Sequence, residues 1–287
     1  MIHYFFIPMK LVTFTRPGGS PEPGVLTGEE IIPLSGHGFD NVLSIIEGGA
    51  AALDRIRSIN GPKIPLKGAK LNAPIPRPPK IVCIGLNYRD HAAESNMAIP
   101  AVPTVFCKFQ TSVVGPGDTV ILPKISEQPD YEAEFAFVIG KGGRNIAGEN
   151  WREHVHGYMN LNDVSARDVQ LATPQWIMGK SFDTFCPMGP YLLTADEVAD
   201  PHALDISLEI GGEILQKSNT KHLIFKIPEL IAHLSSVYTL EPGDVVSTGT
   251  PAGVGLGRTP KRWLKPGEEM IVRVQGLGEL RNRTAAE

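Results

Sequence analysis

Asp130-Tyr131-Glu132-Ala133-Glu134-Phe135-Ala136-Phe137-Val138-Ile139 sets two carboxylates two residues apart at the head of an apolar run rich in strand-forming residues. Side chains alternate faces along a strand. Glu132 and Glu134 therefore point one way with Ala136 and Val138, while Ala133, Phe135, Phe137 and Ile139 point the other. Two apolar faces predict a strand covered on both sides. Paired carboxylates there repel and lose hydration, which proton uptake or a bound cation relieves. Oxygen donors without a nearby thiolate favour a hard divalent ion such as Mg²⁺ or Mn²⁺. The plainer alternative is an edge strand whose charged end faces water.

Other segments carry chemistry of their own. His91 and Glu94 in Asn87-Tyr88-Arg89-Asp90-His91-Ala92-Ala93-Glu94 are three apart and share a helix face. A carboxylate beside an imidazole fixes its tautomer and raises its basicity, as a water-activating base requires; the alternative is a surface pair. Asn162-Asp163-Val164-Ser165-Ala166-Arg167-Asp168-Val169-Gln170 is dense in polar groups yet follows an apolar stretch. Asp163 could complete a three-carboxylate site with Glu132 and Glu134, or could simply start an Asx turn before a solvated helix. Lys180 lies among Trp176, Ile177, Met178 and Phe182. Such a lysine stabilises an enolate or binds a carboxylate if buried, and otherwise snorkels to water. Thr248-Gly249-Thr250-Pro251 follows a strand, and the Thr250 hydroxyl could hold an anion. Gly253, Gly255 and Gly257 do not form a dinucleotide fingerprint, because no helix follows. His154 and His156 point apart on a predicted helix, which favours surface roles over a metal site.

These residues need elements to hold them. Residues 1–72 read as a small α/β unit with strands at Leu11–Phe14 and Val25–Leu26 and a helix over Phe39–Ile59 capped by Asp40. Residues 1–8 are a possible extension, with Met9 as a second start. The prolines in Asn72–Pro79 forbid helix, so 73–79 is a linker. The larger unit, 80–287, holds strand patterns at Lys80–Gly85, Thr104–Lys108, Thr119–Leu122, Glu134–Ile139, Tyr191–Thr194, Ser207–Ile210, Asp244–Ser247 and Met270–Val274. Helices are expected at Tyr88–Ser95, Asn150–Gly157 and Lys226–Ser236. Pro-Gly-acid turns at Pro116, Pro242 and Pro266 each precede a strand. Strands outnumber helices without regular alternation, so the class is α+β and β-rich.

Composition excludes several partners. The chain has 287 residues, a net charge of -4 and no run of Lys or Arg, which argues against nucleic acid and anionic membranes. No stretch is long and apolar enough to span a membrane, and no secretory signal is evident. Cys83, Cys107 and Cys186 are scattered and read as reduced, buried thiols of a cytoplasmic protein.

Taken in order, Gly85-Leu86-Asn87-Tyr88-x-x-His91-x-x-Glu94, Asp130-Tyr131-Glu132-Ala133-Glu134, Asn162-Asp163-Val164-Ser165-Ala166-Arg167-Asp168-x-Gln170, Gly179-Lys180-Ser181-Phe182-Asp183 and Ser247-Thr248-Gly249-Thr250-Pro251 resemble the fumarylacetoacetate hydrolase family over about residues 80–280. The resemblance implies a mixed β-roll, usually a homodimer, with a small N-terminal domain. It implies that Glu132, Glu134 and Asp163 bind one Mg²⁺ or Mn²⁺. His91 and Glu94 would activate water from a closing lid. Lys180 would stabilise developing charge, and Gln170, Thr250, Tyr88 and Arg167 would contact substrate. The eukaryotic namesake carries a further aspartate ligand with no match here, which places this chain nearer the three-carboxylate branch. The implied activity is carbon–carbon bond hydrolysis in a 2,4-dioxo acid, acylpyruvate-type or diketo-sugar, that releases pyruvate or a related 2-oxo acid. Oxaloacetate decarboxylation and 2-hydroxyhepta-2,4-diene-1,7-dioate isomerisation are alternatives at the same site. Specificity is expected from loops at Asn96–Pro103 and Thr173–Met178.

Overall fold

The structure is a computed structural model that describes residues 8–94 and 98–287. Any expectation for residues 1–7 and 95–97 lies outside the described residues. The chain opens with strands β1 (Lys10–Thr15), β2 (Pro21–Thr27) and β3 (Glu30–Pro33). Helices α1 (Val42–Glu47) and α2 (Gly49–Arg57) follow, then short strands β4 (Ile64–Pro65) and β5 (Lys70–Asn72). The single helix expected from Phe39 to Ile59 is thus two. Asn41, not Asp40, caps the first: its side chain accepts from the Ser44 amide at 2.8 Å. The break falls at Gly49, whose φ of 56° no residue inside a right-handed helix adopts.

The larger part contributes β6 (Ile81–Gly85), α3 (Arg89–Glu94), β7 (Thr104–Cys107), β8 (Val113–Val114), β9 (Thr119–Leu122) and β10 (Pro129–Asp130). Next come β11 (Ala133–Ile139), α4 (Trp151–His154), β12 (Val155–Asn162), β13 (Ser165–Ala166), α5 (Arg167–Gln170) and α6 (Ile177–Lys180). The chain ends with β14 (Cys186–Thr194), β15 (Asp205–Ile210), β16 (Glu213–Asn219), α7 (Ile227–Val237), β17 (Val245–Ser247), β18 (Glu269–Val274) and β19 (Glu279–Ala286). The expected helix over Asn150–Gly157 stops at His154, and Val155 already belongs to β12.

Among the described residues a mixed sheet runs in the order β4-β3-β2-β1-β14-β12-β11-β17-β6-β7, and a second runs β16-β15-β18-β19-β9. The sheet is continuous across the expected boundary at 73–79, because β1 pairs antiparallel with β14, Lys10 opposite Leu193. The proline segment itself is tied down: the buried Thr13 hydroxyl donates to the Pro74 carbonyl at 2.8 Å.

Strand β11 is fully buried, and its alternation divides the core. Phe135, Phe137 and Ile139 join Ile206, Leu208 and Val272 of the second sheet. Ala136 and Val138 join Val42, Ile45, Ile46 and Ile56 of α1 and α2. Helices α1 and α2 therefore cover one face of the sheet that carries Glu134, while β1–β4 extend the sheet itself. With β12 on one side and β17 on the other, β11 is an inner strand, which removes the edge-strand alternative.

The Pro-Gly-acid turns form ahead of β9, β17 and β18 with one design. Gly117, Gly243 and Gly267 take φ of 77°, 89° and 89°. The following Asp118, Asp244 and Glu268 side chains accept from the amides of Gly115, Glu241 and Lys265 at 2.8, 2.8 and 2.9 Å. No helix among the described residues is long and apolar enough to cross a membrane. All three cysteines are free. Cys83 and Cys186 are buried as expected, but Cys107 is exposed because β7 is the last strand of its sheet.

Candidate active site

The pairing of β11 with β12 assembles the acidic cluster. Ala133 faces Asn162, so residues on either side of Ala133 meet the end of β12, and the Asp163 amide donates to the Glu132 carbonyl at 2.9 Å. Glu132, Glu134 and Asp163, all buried, offer carboxylate oxygens within 4.8 Å of one another. Asp163 is an interior residue at a strand end, not the start of a solvated helix.

Three buried cations answer these charges. Lys180 Nζ donates to Glu132 Oε2 at 2.8 Å and to Asp163 Oδ2 at 2.7 Å. It does not snorkel; only 2% of it is exposed. Lys108, to which sequence reasoning gave no role, donates to Asp163 Oδ1 at 2.5 Å and to the Val164 carbonyl at 3.1 Å. Arg167 Nε donates to Asp130 Oδ2 at 2.8 Å, and Nη1 to Gln170 Oε1 at 2.9 Å. Its Nη2 lies 2.6 Å from Glu132 Oε1, an ion-pair contact outside hydrogen-bond geometry.

These contacts set the ionisation. Burial raises the Glu132 carboxyl, but Lys180 and Arg167 outweigh it and hold it at about 2. Burial opposes charge on Lys180, yet Asp163 and Glu132 raise it above its usual range. Glu134 has no ion pair among the described residues. It accepts a short hydrogen bond from the Ser247 hydroxyl and one from the Gly249 amide at 2.9 Å. Burial and the charges of Asp163 and Glu132 push its carboxyl well above the usual range. An all-oxygen triad in which one buried carboxylate lacks a compensating cation fits a divalent metal ion, which would hold all three ionised.

Helix α3 brings the imidazole. Leu86 takes a left-handed φ of 52°, unusual for a bulky side chain, and turns the chain from β6 into α3. The buried Asn87 side chain pins this corner, donating to the Thr248 and Phe225 carbonyls at 2.8 and 3.0 Å. His91 Nδ1 then lies 3.2 Å from Glu94 Oε2, and Glu94 Oε1 accepts from the Gly253 amide at 2.9 Å. The pair is not a surface pair: only 14% of the His91 side chain and 20% of the Glu94 side chain are exposed.

A cavity of about 120 Å³ joins His91 to Glu132, Glu134, Arg167, Gln170, Lys180 and Thr250. Thr250 is oriented by the chain itself, donating to the Ala133 carbonyl at 2.8 Å and accepting from Gln216 Nε2 at 2.8 Å. Tyr88, expected at the substrate, does not line the cavity. It is fully buried, its hydroxyl without a hydrogen bond among the described residues, because its position before α3 turns it into the core. Asp130, quoted above without a role, accepts from the Gly255 and Leu256 amides at 2.7 and 3.0 Å as well as from Arg167. It ties the loop beside Glu94 to the cations of the cluster. Nothing local in the sequence marks Lys108 or Gln216, whose partners are distant in the chain.

His154 and His156 are buried, contrary to the expected surface roles, because His156 sits on the inner strand β12. His154 Nδ1 pairs with the Lys141 carbonyl at 2.6 Å, while His156 Nε2 has no partner among the described residues.

The family model described as fumarylacetoacetate (FAA) hydrolase, C-terminal, matches residues 80–285. The oxaloacetate tautomerase Fahd2a, mitochondrial, of Rattus norvegicus is 43% identical over 285 residues, covering 96% of this chain and 91% of that protein. The solved fumarylacetoacetate hydrolase of Exiguobacterium antarcticum superposes with a TM-score of 0.87 at 35% identity, covering 97% of this chain and 100% of that one. Maleylpyruvate hydrolase from Sphingobium sp. SYK-6, solved with manganese(II) and pyruvate, superposes at 0.83 with 32% identity, covering 97% and 99%.

Proposed function

Since the chain belongs to the fumarylacetoacetate hydrolase family, we propose that it is a divalent-metal-dependent enzyme that interconverts the enol and keto forms of oxaloacetate or a close 2-oxo acid. One observation carries this reading: the His91 imidazole faces a carboxylate–cation cluster across a cavity of about 120 Å³. Pockets for larger ligands run to ~300–1,000 Å³, so this one suits a four-carbon acid. The similarity to an oxaloacetate tautomerase over nearly the whole chain supports the same choice.

Glu132, Glu134 and Asp163 would hold one Mg²⁺ or Mn²⁺, which when bound polarises the 2-oxo group and lowers the cost of enolate charge. The chain's own residues handle the proton. Glu94 occupies Nδ1 of His91, which leaves Nε2 to take a proton from carbon 3 of the keto acid or return it there. The 2-oxo oxygen gains or loses the matching proton, so the sum of the reaction is zero. An ammonium has three N–H donors, and Lys180 directs two at Glu132 and Asp163; the third supports the enolate oxygen. Gln170 spends its carbonyl on Arg167 and keeps its NH₂ donors for a substrate carboxylate.

A second reading is supported by the His91–Glu94 pair itself, whose arrangement also serves to deprotonate water. In that case the reaction is hydrolysis of a 2,4-dioxo acid, as in the similar maleylpyruvate hydrolase. Metal-loaded protein given enol-oxaloacetate and, separately, acetylpyruvate separates the two, with CO₂ release followed alongside. Loss of the enol absorbance above the uncatalysed rate supports the tautomerase. Pyruvate from acetylpyruvate without that loss makes it a hydrolase, and CO₂ from oxaloacetate makes it a decarboxylase.

A further inference from the structure

Lys180 and Trp176 are four residues apart on the turn that enters and forms α6, and such positions share a helix face. This turn is locked in place. The Trp176 carbonyl accepts from the Gly179 amide at 3.0 Å. Gly179 packs bare against α5, where a Cβ would lie 2.3 Å from the Gln170 nitrogen. The indole meets Phe106 edge-on with centroids 5.6 Å apart, and Lys180 Nζ stands 5.0 Å from the centre of the same ring. The indole also lies on Gly85: a Cβ there would sit 2.5 Å from Trp176 Cζ3. The φ of Gly85 is not left-handed, so the ring, not the backbone, requires the missing side chain. With Leu86, Leu171 and Leu256, Trp176 forms the apolar wall of the cavity whose polar wall is Lys180, Glu132 and Arg167.

We infer that Trp176 is the specificity-determining residue of this cavity, restricting it to 2-oxo acids of four or five carbons and excluding longer or aromatic tails. The inference rests on the reading of the site as one for 2-oxo acids. A longer chain must pass the indole, whose position is set by its contacts with Gly85 and Phe106.

Metal-loaded wild type, Trp176→Ala and Trp176→Phe are titrated by calorimetry with oxaloacetate, 2-oxobutanoate, 2-oxooctanoate and phenylpyruvate, and oxaloacetate tautomerisation is followed in parallel. The wild type should bind the two longer acids at least about tenfold more weakly, the scale on which a misfitting group is rejected. Trp176→Ala should bring all four within about threefold, with Trp176→Phe between. Equal binding of short and long acids by the wild type overturns the assignment, as does an unchanged ratio in the variants. If Trp176→Ala does not fold, Trp176→Phe alone must shift the ratio for the assignment to stand. Binding of short acids without tautomerisation sinks the functional reading and leaves the specificity role intact. Binding of no 2-oxo acid sinks both.

Discussion

Asp163 and Glu134 belong to one cluster but are held by different means, so their removal should have different consequences. Glu134 leans on a hydroxyl and an amide, and Glu134→Gln leaves every buried ion pair intact. It should abolish Mn²⁺ binding in calorimetry and lower turnover by more than the ~10–100-fold typical of losing an outer partner, at near-normal stability. Asp163→Asn should lose metal as well, and in addition cost ~3–5 kcal/mol in denaturant, because it strips a charge partner from both Lys108 and Lys180. Undiminished activity of either variant, or of wild type in excess chelator, would refute the ligand assignment. For the imidazole, His91→Ala should slow turnover by ~10²–10⁴, the usual worth of a positioned acid–base group, with the urea midpoint nearly unchanged. A His91→Ala enzyme as fast as the parent would remove His91 from the chemistry.

At the scale of elements, α3 is seated by its last residue. Glu94 Cδ would lie 2.5 Å from a Cβ at Gly257, and its Oε2 2.7 Å. The φ of Gly257 is not left-handed, so the backbone accepts alanine there. Gly257→Ala should therefore keep the melting temperature and displace the Glu94 carboxylate from His91. A shift of about 1 Å at a catalytic group costs up to ~10²-fold in kcat, and kinetics beside a thermal melt would test it. Wild-type kcat in that variant would show that Glu94 needs no such seat. Gly253 is the control: at φ 105° and with a Cβ only 2.2 Å from the Leu215 carbonyl, Gly253→Ala should unfold the loop. The elements differ in how plainly the sequence announces them. The pattern of β11 and the Pro-Gly-acid turns state their structure locally. Strand β12 does not, because Asn160 and Asn162 look like surface residues until distant partners supply their hydrogen bonds. Asn160, for example, bonds the Val274 amide and the Leu277 carbonyl.

For the whole molecule, one acid-sensitive group outside the site is His156. Burial lowers its pKa to about 4, only weakly opposed by Asp196. The folded value lies below the ordinary 6.5, so the unfolded chain binds more protons between the two. The stability this neutral imidazole permits is complete above about 6.5 and is lost as pH falls toward 4, by up to ~1.4 kcal/mol per pH unit. His156→Gln should flatten that part of the curve when urea midpoints are compared at pH 7 and pH 5. An identical slope in the variant would mean that His156 is hydrated or already charged. The sequence by itself marked the strand-rich class, the carboxylate pair Glu132 and Glu134, and the His91–Glu94 pair, because alternation and short spacing are local properties of the chain; Asp163, 29 residues beyond Glu134, joins the pair only through the packing of β12 on β11. Only the tertiary structure decided that α1 and α2 cover one face of the central sheet while β1–β4 extend it. It likewise decided that Lys108 and Arg167 neutralise the cluster and that Tyr88 stands outside the cavity. Each of those outcomes depends on groups far apart in the chain meeting, the apolar ones to leave water and the cations to offset buried carboxylates, and no local pattern records such a meeting.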